Sequence, residues 1–488
     1  MSLHARGHAP AAPVRGYPAA PPEGRARRRL AASGALLLTL TAVPAAVLAV
    51  PDAVVNVVPA AASALDLGES GIGGLLRATG LTLPALVVAV PLAAVAARRF
   101  SAWPVLAAGL AVLLSGLGAV KFAHTVPLVG TVRAVQGAGA GMMLPACLIL
   151  VWERRNRALT AAWAGTLVGT LLVAMPLALR AVPAPADEMA VPDWRVALVP
   201  YPWAAVAAAV AALVHLLLRG RGPGALPVSR HTERGQLLLP FVPAAGFAFL
   251  AVVAAAGWSP GARLIVGAFA LPALLGLALA ARRDVIAGSP FGCAVVMIAA
   301  GLLTYPVAGP LAGLAAADAH DRGGPAVVPL LPFAAAAAAA MAGALASACV
   351  PARHAVRAVH AGFVLMIAAV PLGLLTHLDG RWTMLVPLAL LGAGAGAALA
   401  ASLRDAGVGA VLFGLSLCFP AVLAGQLLVL SLQASWLERL RPVTEADRIQ
   451  ALRDGYDAWL IVAGAAAVLL AAATARPSRK TAAGPGAR

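Results

Sequence analysis

The sequence predicts an all-α integral membrane protein with 14 transmembrane helices arranged six, two and six, and with both termini cytoplasmic. Three observations carry this. Of 488 residues, 61% are hydrophobic and 11% charged, with a mean hydropathy of +0.90. That is more apolar surface than a soluble chain needs. Apolar runs of about 20 residues, the length that crosses a bilayer, recur along the chain. Arginines concentrate in alternate turns between these runs, as they do in cytoplasmic loops.

Residues 1–30 are rich in Pro and Arg and end in Arg25-Ala-Arg27-Arg28-Arg29. They are expected to form a disordered cytoplasmic tail. Six spans follow, near 33–58, 80–97, 103–121, 127–152, 160–179 and 198–218, and make an N-terminal bundle over 31–220. Pro44, Pro51 and Pro59 break the first of them. An inner loop and two linker helices, near 237–257 and 262–281, fill 221–284. Six more spans, near 290–315, 326–349, 356–376, 383–402, 407–433 and 457–475, make a C-terminal bundle over 285–475. Residues 476–488 form a second cytoplasmic tail, and 434–456 a charged, partly helical outer loop.

The charge distribution sets the orientation. Inner loops and tails hold about 24 Lys and Arg against about 5 Asp and Glu, and the outer side about 12 against about 14. The net charge of +17 is therefore spread over short turns, which excludes a nucleic-acid-binding patch. Trp194, Trp258, Trp382, Trp436 and Trp459 fall near outer helix ends, and Trp103 and Trp152 near inner ends, as an aromatic belt. Cys147, Cys293, Cys349 and Cys418 read as small buried hydrophobes. No metal site or cofactor is expected, because the histidines lack ligand spacing. The chain has no P-loop, nucleophile elbow or paired carboxylates within a helix, so it does not read as an enzyme.

The fourth span carries the chemistry. Arg133, Gln136, Gly137, Ala140 and Gly141 recur at helical spacing and share one face. Gly137 and Gly141 form a G-x-x-x-G that lets a neighbouring helix approach. A cation in a membrane segment is expensive and usually faces a cavity or a partner. The candidate partner is Asp52, with Asn56 one turn further on the same face of the first span. Two readings stay open for each: Arg133 snorkels outward or pairs, and Asp52 lies beyond the membrane or within it. Burial favours a neutral carboxyl and a neighbouring arginine favours the charged one, so a buried Asp52 could switch protonation as the site opens. In the ninth span, Thr304, Tyr305, Gly309 and Pro310 interrupt the helix, either as a kink or as a cavity-lining break.

Val54-Val55-Asn56-Val57-Val58-Pro59 after Asp52 resembles the helix-one signature of the fourteen-helix drug:proton antiporter branch of the major facilitator superfamily. Arg133-x-x-Gln136-Gly137-x-Gly139-x-Gly141 with Pro145 is similar to its helix-four signature. Asp193-Trp194-Arg195, Leu391-Gly392-Ala-Gly394-Ala-Gly396 and Tyr456-Asp457-Ala-Trp459 resemble further elements. The chain departs from the family at the inner turn after the second span, where Arg98 stands for Asp and Ser101 for Gly. In the helix-five element only Pro176 survives, with Leu171, Met175, Leu179 and Arg180 at glycine positions. Tyr201 stands where Asn follows Trp-Arg.

The resemblance implies a major facilitator fold of two six-helix halves and a secondary transporter working by alternating access. It implies proton-coupled efflux of small amphipathic or hydrophobic organic compounds, as in multidrug resistance. Asp52 and Arg133 would couple protons, supported by Asn56, Gln136, Gly137, Gly141, Pro176 and Tyr305. The expected partners are a small organic substrate, protons and the lipid bilayer, for a monomer in a bacterial plasma membrane. The alternatives are a divergent non-transporting scaffold or sensor of the same fold, and a uniporter or importer not coupled to protons.

Overall fold

The computed structural model describes residues 25–183, 193–219, 231–255, 257–281, 290–322, 327–375, 382–404 and 406–475. Every regular element among them is helical. Residues 1–24 and 476–488 of the expected tails, and 220–230 of the expected inner loop, lie outside the described residues. The helices of the N-terminal half are α1 (Arg25–Leu48), α2 (Val58–Ala64), α3 (Glu69–Thr79), α4 (Thr82–Arg99), α5 (Ala102–Ala119), α6 (Val126–Trp152), α7 (Arg157–Ala181) and α8 (Pro202–Leu218). The linker holds α9 (His231–Leu238), α10 (Phe241–Ala254) and α11 (Pro260–Ala281). The C-terminal half holds α12 (Pro290–Leu303), α13 (Tyr305–Asp321), α14 (Leu330–Cys349), α15 (Ala355–Leu375), α16 (Leu385–Leu403), α17 (Val408–Leu440) and α18 (Glu445–Ala475).

Thirteen helical spans among the described residues are long and apolar enough to cross a membrane. At the sixth expected position stands α8, a shorter apolar helix of 17 residues. Large apolar side chains such as Leu217, Val242, Phe249, Phe269, Leu375 and Leu469 point outward. In water that would be a liability, but in lipid it is the expected exterior.

The core runs through α6, α7, α12 and α17. α4 and α5 flank α6, while α1 lies against α8, α7 and α6. In the other half α14 and α15 pack on α16, and α12 on α17. The halves meet along α7 with α14, α7 with α13, and α4 with α17, and the linker helices α10 and α11 lie against α17.

Small residues permit these approaches. On α6, an added Cβ at Gly137 would overlap the Thr82 carbonyl of α4, and one at Gly139 would lie 2.8 Å from the Gly109 carbonyl of α5. On α7, Gly165 and Gly169 face Met341 and Ala337 of α14, with the Met341 Cα 2.9 Å from a Cβ built at Gly165. The helix-five glycines missing at 171–180 therefore have a counterpart one to two turns earlier, at the junction of the halves.

Several expectations are corrected. Of the three prolines expected to break the first span, Pro44 lies inside the continuous α1 and Pro59 opens α2, so the break falls at Pro51: α1 ends at Leu48, and a 3-10 turn, Val54–Val57, follows before α2. Pro51 has no N–H to continue the ladder and forces Val50 out of helical geometry. α1 also starts at Arg25, so the last residues of the expected tail are helical. The charged loop expected over 434–456 shrinks to 441–444: α17 runs to Leu440, Arg441 adopts the left-handed conformation (φ 47°), and α18 begins at Glu445. Trp194 and Trp459 are buried within the protein rather than set in a belt. Cys349 is exposed, unlike the other three cysteines. The expected interruption of the ninth span stands as the bend at Thr304 between α12 and α13.

Gly137→Ala is expected to lower the melting temperature in detergent, since overpacking against backbone costs about 1–3 kcal/mol or more. Gly118→Ala on α5, where a Cβ meets nothing within 4 Å, is expected to leave it unchanged or slightly raised. Equal melting of the two variants would refute the close-approach role of Gly137.

Candidate functional site

The break after α1 leaves peptide groups without helical partners at the edge of the apolar region. The carbonyls of Ala49, Val50 and Pro51 need donors there, and water is scarce. Arg133 supplies them. It sits two turns into α6 and is 1% exposed. Its Nη2 donates to Pro51 O at 2.7 Å and Val50 O at 3.2 Å. Its Nη1 donates to Ala49 O at 3.2 Å, to Gln136 Oε1 at 3.0 Å and, more weakly, to Leu198 O at 3.4 Å. Its Nε donates to Thr79 O, at the end of α3, at 2.9 Å. Five N–H groups thus meet six acceptors, and one guanidinium joins α6, the α1 break, the α3–α4 junction and the turn before α8.

Asp52 stands in the same break and is not helical. Its Oδ1 accepts from the Val54 N–H at 3.1 Å, and its Oδ2 accepts from the Thr79 hydroxyl at 2.5 Å. Arg133 therefore reaches Asp52 through Thr79, whose carbonyl accepts from the arginine while its hydroxyl donates to the carboxylate. The two charges also attract through space. Among the described contacts no direct Arg133–Asp52 ion pair is formed.

The other expected site residues divide. Gln136 is fully buried, accepts from Arg133 and donates to Gly116 O on α5 at 3.5 Å. Tyr305 begins α13 in the opposite half, is 3% exposed, and lies within electrostatic reach of both Asp52 and Arg133. Its hydroxyl meets Met175 Sδ at 3.8 Å, beside Pro176 of α7. Gly137 and Gly141 face α4, where they set helix spacing rather than line a site. Asn56 does not share a helical face with Asp52: it lies in the 3-10 turn and donates to Val182 O at the end of α7, at 2.7 Å.

Three contacts escape a reading of the sequence. Thr79 bridges Asp52 and Arg133, yet a threonine beside Gly80 carries no motif. Tyr201 donates to Leu177 O at 2.7 Å, next to Pro176 inside α7. Arg98, in the inner turn that lacks its aspartate, pairs with Glu233 of α9. Its Nε meets Oε1 at 2.9 Å and its Nη2 meets Oε2 at 3.3 Å. The same carboxylate lies over the start of α17, with Oε1 3.1 Å from a Cβ built at Gly409. The linker thus brings a negative charge to a helix N-terminus, where the helix dipole favours it.

Comparison with solved structures places this architecture. The chain is similar to the human organic anion transporter MFSD10 (TETRAN), at 15% identity and a TM-score of 0.55, over 92% of this chain and 99% of that one. It is similar to a bacterial homologue of the human drug peptide transporters PepT1 and PepT2, at 15% identity and 0.54, over 91% and 98%. It is also similar to the major facilitator superfamily proton:xylose symporter XylE, at 14% identity and 0.50, over 92% and 95%. The chain has the major facilitator fold. No protein-family model matches the sequence, and no curated protein does.

Arg133→Lys is expected to destabilise the purified protein strongly. A lysine has three donors on one nitrogen, so carbonyls are left unpaired at about 1–3 kcal/mol each. Melting as in the wild type would contradict the stapling role. For Arg98 and Glu233, a double-mutant cycle to alanine in detergent is expected to show a coupling of about 1–3 kcal/mol, and additive losses would refute the pairing.

Proposed function

We propose that the chain is a secondary active transporter that exports small amphipathic or hydrophobic organic compounds in exchange for protons, by alternating access. The observation that carries this reading is the Asp52–Thr79–Arg133 network at a helix break, faced by Tyr305 from the opposite half. Asp52 is the one carboxylate held in this network, so it is the group assigned to carry the proton. Arg133 holds the break together and biases the charge of Asp52 through Thr79. Tyr305 senses both charges across the junction, so a change of protonation at Asp52 is felt by the half that must rock. Gln136 keeps the guanidinium aligned, and Asn56 anchors the 3-10 turn to α7. Few charges lie in the spans, which suits apolar or amphipathic cargo.

The resemblance of the helix-one and helix-four stretches to the drug:proton antiporter branch supports the direction and the coupling ion. The solved transporters of this fold include a proton symporter, so direction rests on that resemblance alone. In this reading α8 is the fourteenth span, the arginine-rich turns face a bacterial cytoplasm with both termini, and the protein acts as a monomer.

The reading is tested with the full-length protein in proteoliposomes and an amphipathic fluorescent dye. An imposed proton gradient should drive dye accumulation, and a protonophore should abolish it. Asp52→Asn should reduce accumulation to the level of empty vesicles. Thr79→Val, which removes a hydrogen bond to a charged group worth about 1.5–3 kcal/mol, should reduce it in part. Full gradient-driven transport by Asp52→Asn would defeat the coupling role, and transport indifferent to the protonophore would favour a uniporter.

A further inference from the structure

At the other end of α6 lies a second constellation, unrelated to Arg133. Trp152 closes α6, 19 residues beyond Arg133, or about 28 Å along the axis at 1.5 Å per residue. There a cavity of about 230 Å³ opens between the two halves. Arg155, Asn156 and Arg157 of the α6–α7 turn form one wall, and Arg404 at the end of α16 forms the opposite one. Trp152 and Leu403 supply an apolar floor.

The charges are unbalanced. Three guanidiniums line one cavity, and no carboxylate among the described residues lines it with them. The acid on the same turn, Glu153, is held by Arg219 at 2.9 Å. Burial raises the pKa of Glu153, partly offset by Arg219 and Arg154. Arg404 spends its Nη1 on the Ser347 and Val350 carbonyls at the end of α14. Its Nε and Nη2 are buried without an acceptor among the described residues. Arg155 is held in the left-handed backbone region at φ 48°, which an arginine rarely adopts.

The geometry points to an anion-binding site here, formed by Arg155, Arg157 and Arg404 across the junction of the halves. Guanidinium groups match carboxylate and phosphate oxygens as paired donors, and such charge-assisted bonds are the strong ones. The volume falls below the roughly 300–1,000 Å³ of sites for drug-sized ligands. With the indole and leucine floor, it fits one anionic group on a small apolar body. A soluble organic phosphate or carboxylate has this chemistry, and so does an anionic lipid headgroup. The occupant would touch both halves and tie them together on the arginine-rich face. The inference does not depend on proton coupling at Asp52.

The test uses the full-length protein in a neutral detergent, with phenyl phosphate as probe and phenol as the neutral control. Phenyl phosphate should raise the melting temperature saturably, and phenol should not. Arg155→Gln/Arg157→Gln changes only exposed residues, one in the turn and one opening α7. It should keep the unliganded melting temperature and weaken phenyl phosphate binding by about tenfold or more. Arg404→Gln should do the same if it folds, and the turn variant decides the matter if it does not. The source is resolved in nanodiscs. Competition by phosphatidylglycerol but not phosphatidylcholine identifies a lipid headgroup, while equal binding in both identifies a soluble anion. No saturable binding, binding of phenol alike, or undiminished binding by the double variant would overturn the site.

Discussion

The N-terminal half depends on how one guanidinium disposes of its hydrogen bonds. A helix interrupted inside a membrane exposes carbonyls that lipid cannot satisfy. Arg133 meets that demand from α6, taking three consecutive carbonyls of the break and one from the α3–α4 junction. The dependence runs both ways. A buried cation without partners would be strongly destabilising, so the break is also what makes Arg133 tolerable. The glycines of α6 complete the arrangement by letting α4 and α5 approach closely enough for the fork to reach.

This changes what a carboxylate near an arginine means. A direct ion pair between Asp52 and Arg133 would lock both groups. The structure instead interposes Thr79, which accepts from one and donates to the other. The hydrogen bonds from Arg133 to the break end on backbone carbonyls and do not pass through the Asp52 carboxylate. The scaffold is therefore independent of that carboxylate, as the proposed coupling role of Asp52 requires. Tyr305, from the half across the junction, lies within the field of both groups.

The departures from the resembling family have physical replacements. Arg98 occupies the place of an acid in the inner turn, and the missing negative charge comes from Glu233 on the linker, set over the start of α17. Glycines absent from the second half of α7 reappear as Gly165 and Gly169, where α7 meets α14. In both cases a carboxylate or a glycine comes from another position in the chain.

Much of the fold was legible because it follows from one-dimensional properties. Lipid demands apolar runs of fixed length, and these mark the spans. The face shared by Arg133, Gln136, Gly137 and Gly141 follows from helical spacing alone, and Pro51 announced the break. What the sequence could not show are contacts between segments far apart in the chain. Thr79 meets Asp52 across 27 residues and Glu233 meets Arg98 across 135, and no local pattern encodes such meetings. The same limit misplaced Asn56: helical spacing put it beside Asp52, but the break turned it toward Val182. The sequence by itself determined which segments enter the membrane and which side chains are too polar to lie there idle. Only the tertiary structure decided their partners, because a buried polar group is satisfied by whatever the packing of distant helices brings within reach.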